Sequence, residues 1–242
     1  MRYIQKGESP CFFEECKKSL PEGAEWEHFE GNKELGQCKQ DFKAHLMAEQ
    51  AALCVYCERK INLDVEDKDE NGVVKSFVKS NCHFEHVMPK DKKSGYPELE
   101  FEYKNLTLSC NGDQCDLEQK ESFKPQDVHS CGHKKGKFFH KEAFLNPVEL
   151  QDITDFFTYD LTSCAIKSSG KDDERAEKTI KLLNLDNHRL NNERHNARMA
   201  FEKVLRGSSN KKEEIKLIFS KNIAFVSFLR YWLASSNKRL AL

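Results

Sequence analysis

Apolar residues recur at helical intervals in some stretches of this chain and alternate with polar ones in others. Leu35, Cys38, Phe42, Leu46 and Leu53 fall on one face and predict a helix over about 33–53. Ile61, Leu63 and Val65 alternate, Asn71-Gly72 is a turn signal, and 74–78 returns, which predicts a hairpin over 61–79. A strand is expected over 82–87, ending before Pro89, and a second within 101–109. Residues 111–130 are polar and read as a loop. A basic helix is expected from Cys131 to about 142, and everything after it reads as helical. One helix spans 172–206 and carries Ile180, Leu183, Leu190 and Leu205. A last one, over about 212–235, carries Ile215, Ile218, Phe219, Ile223, Val226, Leu229 and Leu233. The first six residues look extended, and the stretch up to 32, with Pro10, Pro21 and Gly23, carries little apolar signal. No internal repeat is present.

Composition narrows the class. With 242 residues and a formal net charge of −1, the chain can bury a core but cannot hold nucleic acid by bulk charge. The near-neutral total hides an asymmetry. Residues 167–242 hold 17 basic against 9 acidic side chains, and residues 1–166 hold 22 against 31. The basic end suits a polyanion, a docking partner or a solvated helical surface. No apolar run reaches membrane-span length and MRYIQKGESP lacks a signal-peptide stretch, so a cytosolic protein is expected.

Ten cysteines in a chain expected to be reduced raise the question of metal. Cys54-Val-Tyr-Cys57 has the spacing of half a tetrahedral zinc site. A redox C-x-x-C is the rival, but no strand–helix pattern of thioredoxin type surrounds it. The other half must come from Cys110 with Cys131 or Cys115, and spacing alone leaves both open. The remaining cysteines read as ordinary thiols.

The richest segment is Cys82-His-Phe-Glu-His-Val-Met-Pro89. On a strand, Glu85 and His86 point to opposite faces, so one can hold a metal while the other addresses a water. His83 shares a face with Glu85 and reads either as a further ligand or as a structural histidine. Lys134, Lys135, Lys137 and Lys141, with His140, form the densest basic patch and suit phosphate contacts. A non-catalytic, zinc-stapled adaptor for nucleic acid or protein is the alternative, but it has no use for the Glu85–His86 pair. In an adaptor, Phe219, Phe225, Phe228, Tyr231 and Trp232 would be contact anchors; otherwise they are packing.

The order Cys54-x-x-Cys57, Glu85-His86-Val87-x-Pro89, Asn105-Leu106, Cys110, Cys131-x-x-x-Lys135-Gly136 resembles the HNH (ββα-metal) nucleases. The pieces MRYIQKG, LCVYCE, HFEH, YPELEFEYKNLTLSCNG, CGHKKG and TIKLLNLDNHRL are similar to the PtuB-type HNH subunits of Septu anti-phage defence, which also occur in some retron systems. The resemblance implies an α+β fold: a ββα-metal core with a four-cysteine zinc staple and mainly helical flanks. Its expected parts are an N-terminal segment (1–50), a nuclease domain (51–145) and a helical partner-docking region (146–242). It selects Cys131 over Cys115. It implies His86 as general base, Glu85 as ligand of a catalytic Mg²⁺ or Mn²⁺, and Asn105 as a group that orients the base or pins the strands. Many relatives place Asn or His directly after the last cysteine, where this chain has Gly132; His133 or Asn111 is then the expected replacement ligand. The implied partners are a PtuA-like ATPase, a nucleic acid substrate, and a retron reverse transcriptase with its msDNA.

Overall fold

Helices and short antiparallel strand pairs alternate through the computed structural model, which describes residues 1–68, 74–93, 95–112 and 129–240. The fold is mixed α+β. Strands β1 (Val65–Lys68) and β2 (Val74–Val78) pair with Val65 opposite Val78, giving the expected hairpin, whose Asn71-Gly72 turn lies outside the described residues. Strands β3 (Cys82–His86) and β4 (Leu106–Cys110) pair from Cys82↔Cys110 to His86↔Leu106. Alternation puts Phe84 and His86 on one face of β3 and His83 and Glu85 on the other.

Three helices precede these strands: α1 (Cys11–Lys18), α2 (Trp26–Gly31) and α3 (Gly36–Glu49). They line the Phe84 face. Phe13 stacks on Phe42 at 3.9 Å, Phe42 lies 5.5 Å from Phe84, and Trp26 meets Phe84 edge-on at 5.4 Å. Trp26, Phe13, Phe29 and Phe42 are all buried, each worth about 1.5–3 kcal/mol of transfer free energy. Helix α4 (Cys131–Lys135) closes the opposite face of the β3–β4 pair. Beyond it come β5 (Phe157–Tyr159), β6 (Ile166–Ser168), α5 (Asp173–Leu183), α6 (His188–Gly207), α7 (Lys211–Phe219) and α8 (Val226–Leu240).

Several expectations need correction. The basic helix stops at Lys135 rather than 142, because Gly136 takes a positive φ of 53° and turns the chain. The helix read over 172–206 is two helices. Asn184 adopts the left-handed conformation that ends α5, and the Asn187 side chain accepts the Leu190 N–H to start α6. The last helix is likewise split, between Phe219 and Val226, with Phe225 at φ 55°. Residues 157–168, read as helical, form the β5–β6 hairpin. The quiet stretch before residue 33 contains α1 and α2. Cys16 and Cys38, read as ordinary thiols, are joined by a disulfide between α1 and α3.

One apolar cluster runs from Met1 and Ile4 through the strands to Trp232. Phe225, Phe228 and Trp232 are buried, with Phe228 5.2 Å from Tyr159, so most of the C-terminal aromatics serve packing. No described helix is long and apolar enough to cross a membrane.

Candidate metal centre and the adjacent histidine

The sulfurs of Cys54, Cys57, Cys110 and Cys131 lie within 4.8 Å of one another, and all four residues are buried. Cys54 and Cys57 come from a tight turn in which Cys54 N–H donates to Arg59 O and Glu58 N–H to Cys54 O. Cys110 ends β4, and Cys131, at φ 61°, opens α4. The Cys57 and Cys110 sulfurs are 3.7 Å apart; a tetrahedral tetrathiolate with bonds of about 2.3 Å has edges of about 3.8 Å. Burial pushes the Cys57 and Cys131 thiols well up. Cys54 is also buried, but hydrogen bonds from the other three thiols and from Cys110 N–H bring it well down. Ionising Cys57 and Cys131 as well in this buried pocket therefore requires a cation. The group can hold a metal ion, and among the described residues it is the only such set of three or more His, Cys, Asp or Glu donors. Cys115 lies outside the described residues.

Arg189 reaches this corner from α6. It is buried, donating to Gly112 O (3.2 Å) and Ser130 Oγ (2.6 Å), and so ties the segment that leaves Cys110 to the one that enters Cys131. Burial opposes its charge, but Glu193 and the thiols of Cys57, Cys110 and Cys131 raise its pKa overall.

Next to the cysteines, β3 presents Glu85 and His83 to α4. Glu85 is buried, and its Oε1 accepts from Tyr56 OH (2.8 Å) and pairs with Lys135 Nζ (2.8 Å). Burial alone would raise its carboxyl, but Lys135 and His83 bring it down to about 2. Its Oε2 faces His83 Nε2 at 3.6 Å. The other ring nitrogen of His83 meets Asn111 Oδ1 at 3.2 Å, and His133 stacks on the ring at 4.5 Å and 13°.

His86 lies on the opposite face. Its Nε2 is 2.9 Å from Glu100 O; a carbonyl only accepts, so Nε2 carries the hydrogen and Nδ1 keeps its lone pair. Trp26 packs edge-on against the imidazole at 4.8 Å. Burial pushes the pKa of His86 down to about 4, so the ring is neutral at neutral pH.

No family model matches the chain. It is 29% identical over 227 residues to "Retron Ec83 putative HNH endonuclease" of Escherichia coli, an alignment covering 85% of this chain and 82% of that protein. It is 27% identical over 207 residues to "Retron Vc95 putative HNH endonuclease" of Vibrio cholerae serotype O1 biovar El Tor, covering 79% and 85%. These likenesses support an HNH endonuclease family.

The structure thus gathers Cys54, Cys57, Cys110 and Cys131 in one place, and Glu85, His83, Asn111 and His133 in another. Asn105 is spent on backbone. It accepts from Met88 N–H (2.7 Å) and donates to Met88 O (2.9 Å) and Leu99 O (3.1 Å), fixing the turn that follows His86. Lys134, Lys137 and Lys141 are exposed, as phosphate contacts require. Lys135 differs from that expectation. It is 1% exposed, and besides Glu85 its amine donates to His86 O (2.7 Å) and Val87 O (2.9 Å), which clamps the end of β3. Sequence reasoning missed Trp26, Tyr56, Glu100 and Arg189. Trp26 and Arg189 reach the site from far along the chain, Glu100 acts through its backbone oxygen, and Tyr56 sits inside the Cys54–Cys57 turn, where only the cysteines drew notice.

Proposed function

We propose that this chain is a metal-dependent endonuclease of HNH type that hydrolyses phosphodiester bonds of DNA, or of RNA such as tRNA. The observation that carries the reading is His86. It is a neutral imidazole with Nε2–H anchored to a backbone carbonyl and the Nδ1 lone pair left unprotonated, one residue from a buried, ionised carboxylate. Nδ1 accepts a proton from the attacking water. The Glu100 carbonyl steadies the imidazolium that forms, and Trp26 keeps the ring from turning away. Glu85, with one oxygen occupied by Tyr56 and Lys135, would hold a Mg²⁺ or Mn²⁺ ion through the other. When bound, that ion supplies positive charge opposite the phosphate and the leaving 3′-oxygen. Lys134, Lys137 and Lys141 would contact flanking phosphates.

The four cysteines would hold Zn²⁺ as a staple, since the softness and spacing of the donors suit it. The two retron relatives support a retron context, with a reverse transcriptase carrying msDNA as partner, and the Septu-type motifs are the ground for a defence role beside a PtuA-like ATPase. A near-neutral chain has little affinity of its own for nucleic acid, which suits an effector that acts within a complex. The test is His86→Ala in the purified complex. Cleavage should disappear while zinc content and circular dichroism stay as in the wild type. Undiminished cleavage would end the nuclease reading and leave the zinc-stapled adaptor.

A further inference from the structure

Gly132 occupies the position directly after the last cysteine, and its surroundings show what fills the space a side chain would need there. A Cβ built on Gly132 would stand 2.3 Å from Glu85 Oε2 and 2.8 Å from His83 Nε2. A side chain at 132 and the His83 ring therefore compete for the same space, and in this chain the ring has it. The Gly132 N–H donates to Ser109 Oγ at 3.0 Å, which holds the bare backbone close to the strands.

We infer that His83, on β3, supplies through Nε2 the second protein ligand of the catalytic divalent ion, beside Glu85 Oε2, in place of a side chain from α4. The inference rests on the nuclease reading above and deepens its metal site. Two donors at right angles on an ion with bonds of about 2.1 Å stand about 3 Å apart, and Nε2 and Oε2 stand 3.6 Å apart. Asn111 Oδ1 can only accept, so it takes the hydrogen of His83 Nδ1 and leaves Nε2 as the ring atom that would meet the ion. His133 stacks flat on the ring and fixes its plane. Asn111 and His133 thereby orient the ligand instead of binding the ion. Glu85 Oε1 is occupied by Tyr56 and Lys135, which leaves Oε2 for the ion.

The test uses the zinc-loaded full chain with Mn²⁺ as the probe, read by electron paramagnetic resonance and by pulsed detection of ¹⁴N coupled to the metal. The wild type should show coupling from one imidazole. His83→Ala should lose that coupling and at least tenfold in Mn²⁺ affinity, with zinc content unchanged. His133→Ala should keep the coupling. His83→Gln, a size-conserving check on folding, should bind Mn²⁺ without the imidazole signal. Persistence of the coupling in His83→Ala, its loss in His133→Ala, or no Mn²⁺ bound by the wild type would overturn the inference. Failure of the nuclease reading looks different: Mn²⁺ held through His83 while His86→Ala still cleaves.

Discussion

Replacing Lys135 by Met tests the most unusual electrostatic feature of the site. Met has nearly the same length and fills the same space, so the change removes a charge and three contacts without opening a cavity. Lys135 is buried and its amine meets Glu85 Oε1, His86 O and Val87 O at 2.7–2.9 Å. Breaking a buried pair on one side costs about 3–5 kcal/mol, because the other charge stays buried. The carboxylate gives a second route to the number. Glu85 is lowered from 4.5 to about 2 in the fold, a difference worth about 3 kcal/mol at neutral pH. The folded value lies below the unfolded one, so this stability is fully present above about pH 4.5 and is lost as pH falls toward 2. Without the amine, burial acts on Glu85 with only Tyr56 and His83 to oppose it, and its carboxyl rises. The penalty in Lys135→Met should therefore be largest at neutral pH and shrink on acidification. Urea unfolding of zinc-loaded protein, without added Mg²⁺ or Mn²⁺, should show a loss of about 3–5 kcal/mol at pH 7 and a smaller one at pH 5.5. The surface variants Lys134→Met and Lys137→Met should stay within about 0.5 kcal/mol of the wild type. A loss under about 1 kcal/mol at pH 7, or one that grows on acidification, would refute the reasoning.

Other substitutions probe separate supports. Asn105→Ala strands one buried N–H and two carbonyls around Met88 and Leu99 and should cost about 2–4 kcal/mol in the same assay; wild-type stability would show that water replaces the amide. Cys54→Ser should release the metal of the four-cysteine group, measured by elemental analysis, and full retention would break the assignment. Opening the Cys16–Cys38 link by Cys38→Ser removes a closure over 22 residues and should cost about 3 kcal/mol under oxidising conditions. A thiol reductant should erase the difference between this variant and the wild type, and a difference that survives it would point to packing.

What could be read from the sequence follows from how local each signal is. Cys54-x-x-Cys57 and the strand holding Glu85 and His86 depend on spacings of a few residues, so they appear in the pattern and the structure places them as a turn and a strand. The breaks at Asn184 and near Phe225 were hidden because apolar residues on both sides keep helical intervals while the backbone reverses its sign of φ. The β5–β6 hairpin was missed because its strands have three residues each, too few for alternation to show. The Cys16–Cys38 bond joins two helices, one of which gave no signal, so nothing local could pair them.

The N-terminal helices give the sharper lesson. Read as sequence, residues 1–50 are an appendage to the strands that carry the chemistry. In the fold, Trp26 lies against His86, and its own N–H donates to the Glu100 carboxylate (2.7 Å), the residue whose backbone oxygen holds His86 Nε2–H. The packed wall buries the histidine and so favours its neutral form, while the carbonyl fixes its orientation and by itself favours the charged ring. Neither effect needs a special residue type at a special spacing. Each needs an aromatic edge and a carbonyl brought together from 60 to 74 residues apart in the chain. An unprotonated, oriented Nδ1 is thus a property of the packed N-terminal wall as much as of the Glu85-His86 motif, and a chain keeping the motif without that wall would hold an imidazole of ordinary pKa, free to turn.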